Sequence, residues 1–173
     1  MTRWTLAATL LLVCALANSQ VPDMGPAPEL KKFEWMVGNW SGTMKMSMEG
    51  MEMEGKMTHH AEWSGPFLRG TSKWEMEGFT MNEEFFMGWD PEKGKYSSYT
   101  FTNLAPTPRI EWGVAQGDTV VFTSEPWKTD PNGEATVSRA SMTKLSDTEL
   151  KFVLEFKAGD DWVKAGEAIF KKQ

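Results

Sequence analysis

From Trp40 onward, apolar and polar residues alternate with period two. Side chains along a β-strand point to opposite faces in turn, so this pattern predicts strands with one face buried and one in water. The apolar runs are broken by turn signals: DPEKGK (Asp90 to Lys95), AQGD (Ala115 to Asp118), DPNG (Asp130 to Gly133), LSDT (Leu145 to Thr148) and AGDD (Ala158 to Asp161). Glycine, proline and the small polar residues supply the backbone angles that reverse a chain. The spacing predicts antiparallel strands joined as hairpins over 40–48, 51–63, 67–77, 80–89, 95–103, 109–115, 118–125, 134–144, 149–157 and 161–171. An open sheet of that many strands would leave two unpaired edges. Closure removes them, so the expected fold is all-β, an antiparallel up-and-down β-barrel of about ten strands. Ahead of it, Leu30, Phe33, Met36 and Val37 recur at helical spacing, with Pro28 suited to a first turn and Gly38 to a stop. One short helix is expected over 29–37.

The phase assigns faces. Trp40, Gly42, Met44, Met46 and Met48 share one face of the first strand, and Met51, Met53, Gly55, Met57, His59, Ala61 and Trp63 share one face of the second. The same alternation nominates Leu68, Trp74 and Met76, then Phe85, Met87 and Trp89 with Glu83 in phase. It goes on to nominate Tyr99 with Phe101, Ile110 with Trp112, Val120 with Phe122, and the stripe Leu150, Phe152, Leu154 and Phe156. Polar points in this interior are His59, Glu83, Tyr99 and Arg139. A few polar groups in an apolar cavity are what a small-molecule site needs.

Six methionines thus fall on one side of two neighbouring strands, beside His59. Two readings stand. Methionine is a flexible filler suited to the wall of an irregular interior. Thioethers with an imidazole are also soft ligands of the kind that select Cu(I). The copper alternative would use Met44, Met46, Met57 and His59; the lining reading needs no cofactor. His60, one residue on, faces water in a regular strand.

The amino terminus has a different character. Arg3 precedes a nearly continuous apolar run, Trp4 to Ala15, and Ala15-Leu16-Ala17 forms a small-x-small cleavage site. This is the layout of a secretory signal peptide over 1–17, and it predicts an exported protein, periplasmic or extracellular. Residues 18–28, with three prolines and a glycine, read as a flexible tether, and 29–173 as the barrel domain. The leader run is too short to span a bilayer comfortably, and no later stretch is apolar enough. Cys14, the chain's one cysteine, leaves with the leader; Val13 before it fits a lipid-attachment site poorly. Disulfides, thiolate catalysis and cysteine zinc sites are then excluded from the mature chain. The 24 acidic residues outnumber 18 basic ones and are spread along the chain. This balance disfavours nucleic acid and anionic membrane as partners, since both require a basic face.

Catalytic motifs are sparse. The chain has no Gly-x-Ser-x-Gly elbow, His-Glu-x-x-His, phosphate-binding glycine loop or dinucleotide fingerprint. His59 and Glu83 are the weak candidates for an acid–base pair, since burial raises a carboxylate pKa. Asn39-Trp40-Ser41 matches a glycosylation sequon, but Trp40 and the strand start there favour a chance match.

The opening LKKFEWMVGNWSGTMKM (Leu30 to Met46) resembles the helix and Gly-x-Trp start of the calycin barrels, lipocalins among them. In that resemblance the helix plugs one end, the tryptophan packs at the base, and a basic residue of the last strand covers the indole. Lys171 or Lys172 would take that place, where those proteins usually have arginine. Haem-binding barrels of similar size share this opening, but their iron ligand is a histidine late in the chain, and none follows His60. Four stretches, MVGNWSG (Met36 to Gly42), GPFLRG (Gly65 to Gly70), MGWDPEKGKY (Met87 to Tyr96) and WVKAGEAIFKK (Trp162 to Lys172), are similar to a mostly bacterial domain family of unknown function with a lipocalin-like barrel. That resemblance implies a fold and almost no chemistry.

The reading that follows is an exported barrel holding a small apolar or aromatic molecule. Its expected lining is Met44, Met46, Met57, His59, Trp63, Trp74, Tyr99 and Phe152. Its rivals are a periplasmic copper-binding protein and a barrel enzyme, isomerase- or cyclase-like, acting through His59 and Glu83.

Overall fold

A computed structural model describes residues 25–48, 51–128 and 130–173. The leader over 1–17, Cys14 and most of the tether lie outside the described residues, as do the side chains of Met48 and Met51. The strands are β1 (Gly38–Met48), β2 (Met51–Ser64), β3 (Phe67–Met76), β4 (Phe79–Asp90) and β5 (Lys95–Thr102), then β6 (Arg109–Gln116), β7 (Thr119–Ser124), β8 (Ser138–Lys144), β9 (Glu149–Ala158) and β10 (Asp161–Lys172). Each pairs with its neighbours in sequence, all antiparallel, and β1 pairs with β10 to close the barrel. The expected class and hairpin order therefore hold.

The expected helix is a 3₁₀ helix, Leu30–Met36. Side chains three apart eclipse in that geometry. Leu30, Phe33 and Met36 have that spacing, and all three are buried. Val37 has left the helix with extended angles, and Gly38 opens β1 at φ 124° rather than capping a helix. A Cβ on Gly38 would meet the Lys172 side chain at 2.9 Å. Beyond it, the Trp40 indole donates to the Met36 carbonyl at 2.8 Å and lies under Lys172 Nζ, 5.2 Å from the ring centre. Of the two lysines expected there, Lys172 takes the position.

Two apolar clusters fill the ends. Leu30, Phe33 and Met36 pack with Ala61, Leu68, Met87, Tyr96, Val120 and Phe122 at the helix end. Trp40, Met44, Met46, Met57, Trp74, Leu150, Ala168 and Phe170 form the second cluster.

Three expectations are corrected. β8 begins at Ser138, not 134; ahead of it Trp127 and Thr136 form an isolated bridge, and Val137 accepts one backbone hydrogen bond from Lys157. Tyr99 and Phe101 point outward, 41% and 49% exposed, and Ile110 and Trp112 share their face. Arg139 also faces out, bonded to Glu155 and stacked over Trp162. The cause is register. Cross-strand partners share a face, and Trp89 pairs with Tyr96, so Tyr96, Ser98 and Thr100 turn inward while Phe86 takes Tyr99 to the outside. On β6, Arg109 and Glu111 face in, paired with Thr100 and Ser98.

Candidate functional site

Between the two apolar clusters runs a polar belt. Along β2 the inward order is Ala61, His59, Met57; along β3 it is Leu68, Gly70, Ser72, Trp74; along β4 it is Met87, Phe85, Glu83, Met81. His59 pairs with Ser72 and Ser72 with Glu83, so the belt crosses three strands on one level. It continues through Thr100, Arg109 and Glu111 to Ser124 and Ser138. On the remaining strands the inward residues Trp40, Met44 and Met46 of β1, Leu150, Phe152 and Leu154 of β9, and Ala168 and Phe170 of β10 are apolar.

His59 Nδ1 lies 2.9 Å from Ser72 Oγ, and the ring stacks parallel on Phe85 with centroids 5.7 Å apart. Gly70 makes room for this stack: a Cβ there would collide with the Phe85 ring and come within 3.1 Å of His59 Cε1. Burial, helped by the neighbouring charge of His60, lowers the His59 pKa from 6.5 to about 4. The imidazole is therefore neutral at neutral pH. Outside the wall, His60 bonds Asn39 and faces water, as its phase implied.

Glu83, Arg109 and Glu111 form a buried charge cluster. Arg109 Nη2 is 3.5 Å from Glu83 Oε1, and Nε is 3.2 Å from Glu111 Oε1. The latter contact is misaligned, and both of its atoms lack a hydrogen-bond partner. Glu111 Oε2 accepts from the Thr100 hydroxyl at 3.1 Å, and the guanidinium stacks over Trp127, 5.1 Å from its ring centre. Burial drives the Glu83 pKa up, aided by Glu111 and opposed by Arg109. Burial works against the charge of Arg109 too, but the two carboxylates overcome it and raise the pKa.

Several inward side chains keep some exposure. Glu83 and Arg109 keep 12% and 16% of their side-chain surface, and the inward-facing Phe85, Met142, Phe152 and Leu154 are half-buried. An open groove of about 840 Å³ crosses β1 to β5; outward residues such as Ser41, Thr58, Thr71, Asn82 and Phe101 line it together with Trp40, His59, Ser72 and Glu83.

Residues 25–172 match the family described as "Protein of unknown function (DUF1579)". The chain belongs to this family. No protein with a curated description matches it. Among solved structures it is similar to the crystal structure of Rv2717c from M. tuberculosis, at 16% identity and a TM-score of 0.66, over 86% of this chain and 99% of that one. At that identity the likeness is one of fold. The barrel expected of a DUF1579 protein is thus present, and its belt is described by this chain's own residues.

The expected lining residues divide. Met44, Met46, Met57 and Trp74 are 1%, 7%, 5% and 4% exposed within the second cluster, and Phe152 packs on it with its ring edge-on to Trp74 at 6.3 Å. Trp63 faces in at the other end, against the helix cluster, and Tyr99 is outside altogether. His59 turns toward Ser72 and Phe85, while Met44 and Met46 pack with Trp40, Leu150 and Phe170. His59 and Glu83 are both in the belt, separated by Ser72, and no hydrogen bond joins them among the described residues. Arg109 and Glu111 escaped the sequence reading because Ile110 and Trp112 drew the apolar face to themselves. The available signal was Arg-x-Glu, which puts opposite charges two apart on one face of a strand.

Proposed function

We propose that this protein is an exported binding protein that holds a small, largely apolar or aromatic molecule inside the barrel. The observation that carries the reading is the two-sided interior: a polar belt from His59 to Ser138 opposite an apolar wall that includes Phe152 and Leu154. A ligand with one polar end and an apolar body satisfies both sides. Keeping a charge cluster in the interior costs desolvation, and replacing it with apolar residues would suit a filled core better. Export rests on the amino-terminal sequence. Catalysis finds less support, since His59 is already engaged by Ser72 and lies apart from Glu83.

The test is titration with the neutral fluorescent probe N-phenyl-1-naphthylamine, alongside native mass spectrometry. One probe per chain, saturating, is expected. Phe152→Ala should weaken it at least threefold, whereas Tyr99→Ser, on the outer face, should leave it unchanged. Absence of saturable binding, or equal sensitivity to both substitutions, would overturn the reading.

A further inference from the structure

We infer that the outer face of β4 to β7 is the contact surface of a two-fold dimer of this chain, whatever the barrel holds inside. The first argument is charge. Outside β1, β9 and β10, charges of opposite sign face each other across the strands: Lys45 stands between Glu54 and Glu167, Glu167 pairs with Lys151, and Lys171 stands opposite Glu149. Outside β4, β5 and β6 stand Phe86, Tyr99, Phe101, Ile110, Trp112 and Val114 instead. Register joins them into one patch: Phe86 meets Tyr99, Tyr99 meets Ile110, and Val114 meets Val121 on β7. Phe67 extends it, with its ring against Gly88. Charges along the margin are already engaged within the chain. Glu84, across from Phe101, is held by Arg69 at 2.6 Å, and Arg139 is bonded to Glu155. Lys93 lies on the Trp112 ring and 3.7 Å from Asp90, Lys95 stands across from Asp90, and Glu125 accepts from the Trp112 indole.

The second argument is size. Phe67, Tyr99, Phe101 and Val114 are 45%, 41%, 49% and 49% exposed, and Phe86, Ile110, Trp112 and Val121 are partly so. Together they leave roughly 500 Å² of apolar surface in water, large for a patch on a monomer. A stable interface takes about 800 Å² from each partner, about three-fifths of it apolar. The patch with its uncharged neighbours Ser97, Gln116 and Thr123 has the size of one such side. The third argument is what fits. The closed barrel has no free strand edge to accept an added strand, and of the patch residues only Phe101 lines the groove. What remains is a regular sheet face without unpaired charge at its rim to recognise an ionic partner. A copy of the same face is its complement. The chain's net charge of −6 makes copies repel, so they meet most easily where no unpaired charge is buried. A two-fold contact needs only this one patch, which meets itself and closes at two.

The experiment is sedimentation equilibrium of the protein purified from an exporting host, over a range of concentrations and at low and high salt. A monomer–dimer equilibrium is expected, and high salt should leave it intact or tighten it, since the contact is apolar. Tyr99→Lys should raise the dissociation constant at least about tenfold, because it buries a charge at the centre of the patch. Ile169→Lys, at a residue 43% exposed on the outside of β10, should leave it unchanged. A monomer at every concentration would overturn the inference and leave this face to another partner. So would a dimer that salt dissociates, one that both substitutions weaken equally, or assembly that continues beyond two. Val114→Lys, nearer the strand end, repeats the test if Tyr99→Lys does not fold.

Discussion

His59 shows how much a single position depends on what surrounds it. Its folded pKa of about 4 lies below the unfolded value of 6.5. Between these values the unfolded chain binds the proton and the folded chain does not. Stability is therefore full above pH 6.5 and falls as the pH drops toward 4, by roughly 3 kcal/mol at most. Glu83 acts with the opposite sign: its raised pKa favours the fold at low pH, and that contribution fades as the pH rises above the ordinary carboxylate range. In His59→Gln the His59 component disappears and that of Glu83 stays. Denaturant unfolding at pH 7, 5.5 and 4 should show a shallower acid loss in the variant; parallel curves would mean that His59 is charged in the fold. Gly70 belongs to the same unit. Gly70→Ala should cost about 1–3 kcal/mol, because the new methyl displaces the His59–Phe85 stack, and thermal melting reads that directly.

At the scale of elements, the 3₁₀ helix matters through the surface it covers. Seven residues are too few to be stable as an isolated helix. Phe33 sits edge-on to Tyr96 at 4.8 Å, and its burial ties the helix to β5. Phe33→Ala should destabilise the protein by about 3–5 kcal/mol. A loss below about 1 kcal/mol in chemical denaturation would show that the helix only rests on the barrel. Strand limits were largely legible because turn residues mark them. The start of β8 was not: 134–137 alternate as a strand would, but Thr136 makes only an isolated bridge to Trp127, and Val137 accepts a single backbone hydrogen bond from Lys157. Faces were legible where bulky apolar residues occupy one phase, as in β2, β3 and β9. They were misread in β5 and β6, where the bulky residues lie outside.

Closure is a property of the whole molecule. The chain's first and last strands pair along Trp40–Lys172 to Met46–Gly166, so neither is an edge. Amide exchange by NMR or mass spectrometry should find β1 and β10 protected as well as the central β5 and β6. Fast exchange confined to β1 and β10 would mean that the seam opens. Most contacts join neighbouring hairpins, but this seam joins strands more than a hundred residues apart, and long-range pairing of that kind is slow to form. No helix among the described residues is long and apolar enough to cross a membrane.

Hydrophobic period and turn chemistry are local properties, and they were enough to determine the class of fold, the hairpin order, the short helix and the inward methionines. Met44, Met46 and Met57 needed only their phase to be placed. What the tertiary structure decided was register between strands and the company each inward side chain keeps. The turn after Asp90 sets Tyr96 against Trp89, and that one pairing sends Tyr99 out and, through β6, Arg109 and Glu111 in. Alternation supplies two faces without saying which is inside, and a strand carrying bulky apolar residues on one face and charges on the other is read backwards when the charges are the buried set. Glu111 has its counterpart, Arg109, two residues away on β6, but Glu83 meets that same guanidinium only because the closed wall brings β4 and β6 together.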